Sequence, residues 1–172
     1  YGIILCGTLG EVDKGFEFGR LALNIYEDLG GIKNKTKILH MVNSFISHWK
    51  DHLKITIEPL WECYKSGQET GDLEFAFYGL IQYAFHSFFV GKELSPLEKE
   101  LNHGVRTLEN HNHIYSKYQL KVFQLTLIGL MDPKENPVTI LHRSKNSLEE
   151  KDIDQASLKG NAFYFHFYSL FL

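Results

Sequence analysis

Nine histidines and two cysteines are the residues of this chain best equipped for chemistry, and their spacing decides what kind. His48 and His52 stand four apart, the spacing at which one helical face can offer two imidazoles to a metal. Lys50-Asp51 between them reads as a turn, which places the two histidines at helix ends on the surface. Glu109, His111 and His113 are close enough in sequence to chelate, but they fall at a junction where the chain must turn, and they read as loop residues. His111-Asn112-His113 spells a nuclease signature whose ββα frame has no counterpart in the sequence. Cys63 could pair with a distant histidine as a nucleophile. It stands beside Tyr64 on an apolar helical pattern, so it reads as a packed core thiol. No metal site and no cofactor are expected.

Other catalytic patterns are missing. Gly7, Gly10, Gly15 and Gly19 are dense, but a phosphate-cradling loop needs GxxxxGK(S/T), and no Lys-Ser/Thr follows them. Neither GxSxG nor HExxH occurs. Glu98/Glu100 and Glu149/Glu150 read as solvated helix faces. The expectation is a chain with no catalytic residue.

The bulk composition agrees. Apolar residues make up 44% of 172, enough for a sizeable core, and the net charge of −3 attracts neither nucleic acid nor an anionic membrane. Two cysteines, Cys6 and Cys63, offer no disulfide framework and suit a reducing cytoplasm. YGIILCG has no basic residue before its apolar run, so it is not a signal peptide. It reads as the tail of a helix, and FYFHFYSLFL stops inside an apolar pattern. Both ends suggest an excerpt from a longer protein.

The elements are organised around Leu73 to Val90, where only Glu74, Gln82, His86 and Ser87 are frankly polar. A run apolar on every side is a helix buried on every side. Helix breakers recur 41 residues apart: Gly30, Gly71 and Asn112 in one set, Gly10, Asp51, Lys92 and Pro133 in another. Aliphatics follow the first set at Ile32, Leu73 and Ile114. Leu23, Tyr64 and Val105 keep the same period, as do Leu60 with Leu101 and Leu39 with Leu80.

Each repeat reads as two helices. Tyr1–Cys6 ends a first helix, and Asp13 is placed as the N-cap of a second, over Lys14–Leu29, with Phe18, Leu21, Ala22, Ile25 and Leu29 on one face. Lys33–Trp49 is the third. His52–Thr70 is the fourth, either kinked at Pro59 or starting late enough to hold it in the first turn. After the central helix, Ser95-Pro96 opens another with Pro at the first position, running to Asn110, and His113–Met131 follows. Asp132–Pro137 is a break, Val138–Glu150 is weakly periodic, and Ala156–Leu172 repeats the apolar helices. The expected fold is all-α: a tetratricopeptide-like α-solenoid of about seven or eight helices in antiparallel pairs. It is expected as one helical-repeat domain over 1–172, its repeat weakest over 132–155.

Several segments together resemble a helical region of large bacterial signalling proteins of the cyanobacterial type. They are Leu9-Gly10-Glu11, Lys14-Gly15, Glu17-Phe18-Gly19, Leu21-Ala22-Leu23, His48-Trp49-Lys50, Thr70-Gly71-Asp72-Leu73-Glu74 and His86-Ser87-Phe88-Phe89, with the ending Phe163–Leu172. The resemblance implies a parent with serine/threonine kinase, AAA/STAND ATPase, GAF and histidine kinase domains, of which this chain is the helical part only. The period departs from the tetratricopeptide length of about 34.

On this reading the chain is a non-catalytic scaffold for a protein segment or for neighbouring domains. The helices lining a concave face would carry Asn43, His48, Trp49, Gln82, Tyr83, His86 and Gln124 as partner-binding residues. The alternative is a small-molecule sensor with an apolar pocket lined by His86, Tyr83 and Trp49.

Overall fold

The computed structural model describes residues 1–28, 34–111, 113–132 and Thr139. Among them every regular element is helical, and no strand occurs. Val138–Glu150, read as helix or loop, and the expected helix over Ala156–Leu172 lie outside the described residues, Thr139 apart. Two compact units divide the chain, Tyr1–Gly91 and Lys92–Leu172.

The first unit contains α1 (Gly2–Gly7), α2 (Val12–Asp28), α3 (Lys35–Phe45), α4 (Ile57–Thr70) and α5 (Leu73–Phe89), with 3-10 turns at Ser47–Trp49 and Leu53–Thr56. Consecutive helices pack on one another, and α3 reaches α5 as well as α4. The second unit contains α6 (Leu94–Asn110) packed on α7 (Ile114–Met131).

Helix ends follow from the backbone freedom of glycine. Gly71 stops α4 with φ +79° and Gly91 follows α5 with φ +81°, both in the left-handed region that a Cβ penalises. Pro59 stands third in α4, inside the first turn where its missing N–H has no intrahelical partner to lose. Of the two readings of this segment, the late start is the one observed.

Several boundaries are corrected. Asp13 does not cap α2, which already begins at Val12, so Asp13 sits in its first turn. Pro96 is the third residue of α6, not the first. The third helix stops at Phe45 rather than running to Trp49. Asn43, Ser44 and Ser47 offer the backbone competing polar partners here, and Ile46 leaves helical geometry at φ −123°. In a continued helix the Phe45 carbonyl would receive the Trp49 amide. That amide goes to Ile46 instead, and the Trp49 indole Nε1 donates to the Phe45 carbonyl at 3.1 Å. The tryptophan side chain closes the helix end it was expected to extend.

Some element starts recur 41 residues apart: α2 opens at Val12, the second 3-10 turn at Leu53 and α6 at Leu94, while α5 opens at Leu73 and α7 at Ile114. Burial keeps that interval too. Thr36, Phe77 and Tyr118 are all buried, as are His40, Ile81 and Val122, and Ser44, Phe85 and Thr126. The inward positions are shared while their chemistry differs: polar on α3, apolar on α5.

Helices α4 and α5 pack closely along their length. A Cβ on Gly79 would lie 2.6 Å from Cys63 Sγ, and one on Gly67 would lie 2.5 Å from Ala76 Cβ. Small residues at these points let the two backbones approach, which buries Leu60, Cys63, Phe77 and Leu80 completely.

Candidate functional site

The groups that could recognise something gather in the first unit where the 3-10 turns meet α5. His86 is the centre. It projects from the apolar α5, is almost wholly buried, and has its Nδ1 2.6 Å from the Thr56 hydroxyl. That hydroxyl donates to the Leu53 carbonyl at 2.7 Å. One hydroxyl carries one proton, so the Nδ1 of His86 holds a hydrogen and donates it to Thr56. Burial, and then the nearby His48, push the His86 pKa down to about 4, so the ring is neutral at pH 7.

His48 reaches the same corner from the first 3-10 turn. Its ring centre lies 6.2 Å from that of His86, nearly edge-on, and 5.8 Å from that of Trp49, on which it stacks. Trp49 is 46% exposed. The corner therefore grades from a buried hydrogen-bonded histidine to an exposed indole.

The other expected residues are placed differently. Tyr83 is buried with its ring 4.9 Å from Trp61, in the core. Gln82 is half-buried on α5. Asn43 is buried, its Nδ2 donating to the Leu39 carbonyl one turn back at 2.9 Å. Gln124 belongs to the second unit, where its Nε2 donates to Glu98 at 2.7 Å. His48, Trp49 and His86 are thus brought together. Tyr83 packs its ring on Trp61.

The histidines considered for a metal are not brought together on one helical face. His52 sits beyond the turn from His48, its Nδ1 accepting the Lys54 amide at 3.1 Å as a cap. Among the described residues no group of three or more metal-ligating side chains occurs. The Cys63 sulfur lies 3.2 Å from the Thr36 carbonyl and 3.4 Å from that of Phe75, either of which can take its one proton, and burial pushes its pKa up to about 12. A thiol held neutral in the core is a packing group, not a nucleophile at neutral pH.

A cleft of about 410 Å³ opens nearby between α2, α3 and the 3-10 segment. Phe16, Leu23, Ile46 and Pro59 give it apolar walls, and Arg20, Asn43 and Asp51 supply polar groups. Sequence reasoning did not single out Thr56 or Arg20. Thr56 had a signal: one period later the equivalent position is Leu97, and both are completely buried. A hydroxyl where the next repeat holds leucine marks a place where the core needs a hydrogen bond.

No helix among the described residues is long and apolar enough to cross a membrane. No protein-family model, no curated protein and no solved structure matches the chain.

Proposed function

We propose that this chain is a non-catalytic helical-repeat scaffold that presents an apolar helix face to a protein segment or to a neighbouring domain of its own parent. One observation carries the reading. Phe18, Leu21 and Ile25 recur on α2 at helical spacing, and they are 48%, 50% and 47% exposed. Three large apolar side chains in a row left half in water are the mark of a face that another surface covers. The buried residues of α2 are instead Gly15 and Gly19, through which it approaches its neighbours closely.

The solenoid of antiparallel pairs is part of the same proposal. The 41-residue recurrence of element starts and the packing of α3 on both α4 and α5 support it. So does the resemblance to signal-transduction ATPase and kinase proteins, in which such a region couples domains in the cytoplasm.

Site-specific photo-cross-linking tests the face. A photoreactive residue at Leu21 or Ile25 should give one shared adduct, and the same probe at the exposed Glu27, on the far side of the helix, should not give it. Equal labelling at all three positions, or none at Leu21 and Ile25, would overturn the proposal.

A further inference from the structure

The cleft between α2, α3 and the 3-10 segment does something the scaffold reading does not use. Its walls are apolar, from Phe16, Leu23, Ile46 and Ile55, while Arg20 and Asp51 bring opposite charges to its lining. Its volume of about 410 Å³ falls at the small end of ligand sites, suited to a metabolite and too small for a packed helix. Arg20 is in no ion pair among the described residues. The other nearby cation, Lys50, is committed: its ammonium is 2.6 Å from Asp13 and 5.4 Å from the centre of the Phe16 ring. Glu17 and Asp51 add to the negative field around Lys50. Arg20 is therefore the cation left to receive a carboxylate, which a guanidinium can hold through two parallel hydrogen bonds.

We infer that this cleft binds a small zwitterion with a bulky apolar side chain, of the α-amino acid class. The carboxylate goes to Arg20, the ammonium to Asp51, and the side chain against Phe16, Leu23, Ile46 and Ile55. A neutral apolar molecule would use neither charge, and a simple anion would meet Asp51.

Calorimetric titration of the full chain with L-phenylalanine, phenylalaninamide and N-acetyl-phenylalanine tests this. Saturable binding of L-phenylalanine is expected, with roughly fivefold weaker binding of each capped analogue, as one exposed charge pair is worth at most about 1 kcal/mol. Arg20→Gln should bind phenylalanine and its amide equally, and Asp51→Asn should bind phenylalanine and its N-acetyl form equally. Both residues are exposed, so both variants are expected to keep native helicity by circular dichroism. Three results would overturn the inference: no saturable binding of phenylalanine, leucine or tryptophan up to about 10 mM; capped analogues binding as well as the free amino acid; or discrimination unchanged in both variants.

Discussion

His86 and Thr56 share a 2.6 Å hydrogen bond across thirty residues of sequence, and it ties α5 to the second 3-10 turn. The Thr56 proton goes to Leu53, so the imidazole is the donor. Thr56→Val removes the only oxygen shown to meet Nδ1–H and leaves that group buried. The expected loss is about 1–3 kcal/mol, read as a lower denaturant midpoint at unchanged slope. Thr56→Ser, which keeps the oxygen, should lose less. Nitrogen-detected NMR of the ring should show the Nδ1–H tautomer. Equal stability of the Val variant and the native chain would contradict this assignment.

Stability should fall on mild acidification. Burial holds the pKa values of His40 and His86 at about 4, against about 6.5 when unfolded. The unfolded chain then binds more protons between those values. The stability these groups contribute is complete above about pH 6.5, falls as pH drops toward 4, and changes no further below that. For the two together the loss from about pH 7 to about pH 5.5 is roughly 2 kcal/mol. Urea melts at the two pH values measure it, and His86→Asn should remove about half of the difference.

Gly79→Ala is expected to destabilise although alanine is the better helix former. The new Cβ would lie 2.6 Å from Cys63 Sγ and 3.3 Å from the Leu60 carbonyl, against backbone that cannot withdraw. Overpacking costs about 1–3 kcal/mol and the helix propensity returns about 1 kcal/mol, so a net loss remains. Adding Cys63→Ala removes the sulfur and should recover part of it. A double variant no more stable than Gly79→Ala alone would show that the contact is not where the cost arises.

Cys63 should resist alkylation. Its thiol is completely buried, within hydrogen-bond reach of two carbonyls and neutral at any ordinary pH. Iodoacetamide at about pH 8 is expected to label it only after denaturant unfolds the chain. Rapid labelling of the native chain at this position would contradict the packing described.

The helical class was readable because it depends on local punctuation. Glycines at 71 and 91 need the left-handed backbone, and Leu73 and Ile114 restart helices 41 residues apart. The identity between repeats was low for a reason now visible. Thr36, His40 and Ser44 occupy buried positions that α5 fills with Phe77, Ile81 and Phe85. An apolar pattern search cannot align a polar inward face with an apolar one.

The site was less legible. His48, Trp49 and His86 stand out because polar and aromatic groups interrupt apolar runs, and the structure places the three rings at one corner. The role of Trp49 at the end of α3 depends on where Ile46 leaves the helix, and no glycine or proline marks that point. The Phe18, Leu21 and Ile25 face shows helical spacing in the sequence. Whether such a face packs inward depends on the surfaces around it, which periodicity does not contain.

The central claim is that this α2 face meets a partner and is not core. Leu21→Ser with Ile25→Ser tests both halves in one variant. Melting and helicity are measured first, and capture of the adduct partner found by cross-linking second. Half-exposed side chains contribute little to folding, so stability should change by no more than about 1 kcal/mol while capture is lost. A fall of about 3 kcal/mol or more, as for core truncation, or full capture by the stable variant, would contradict the account.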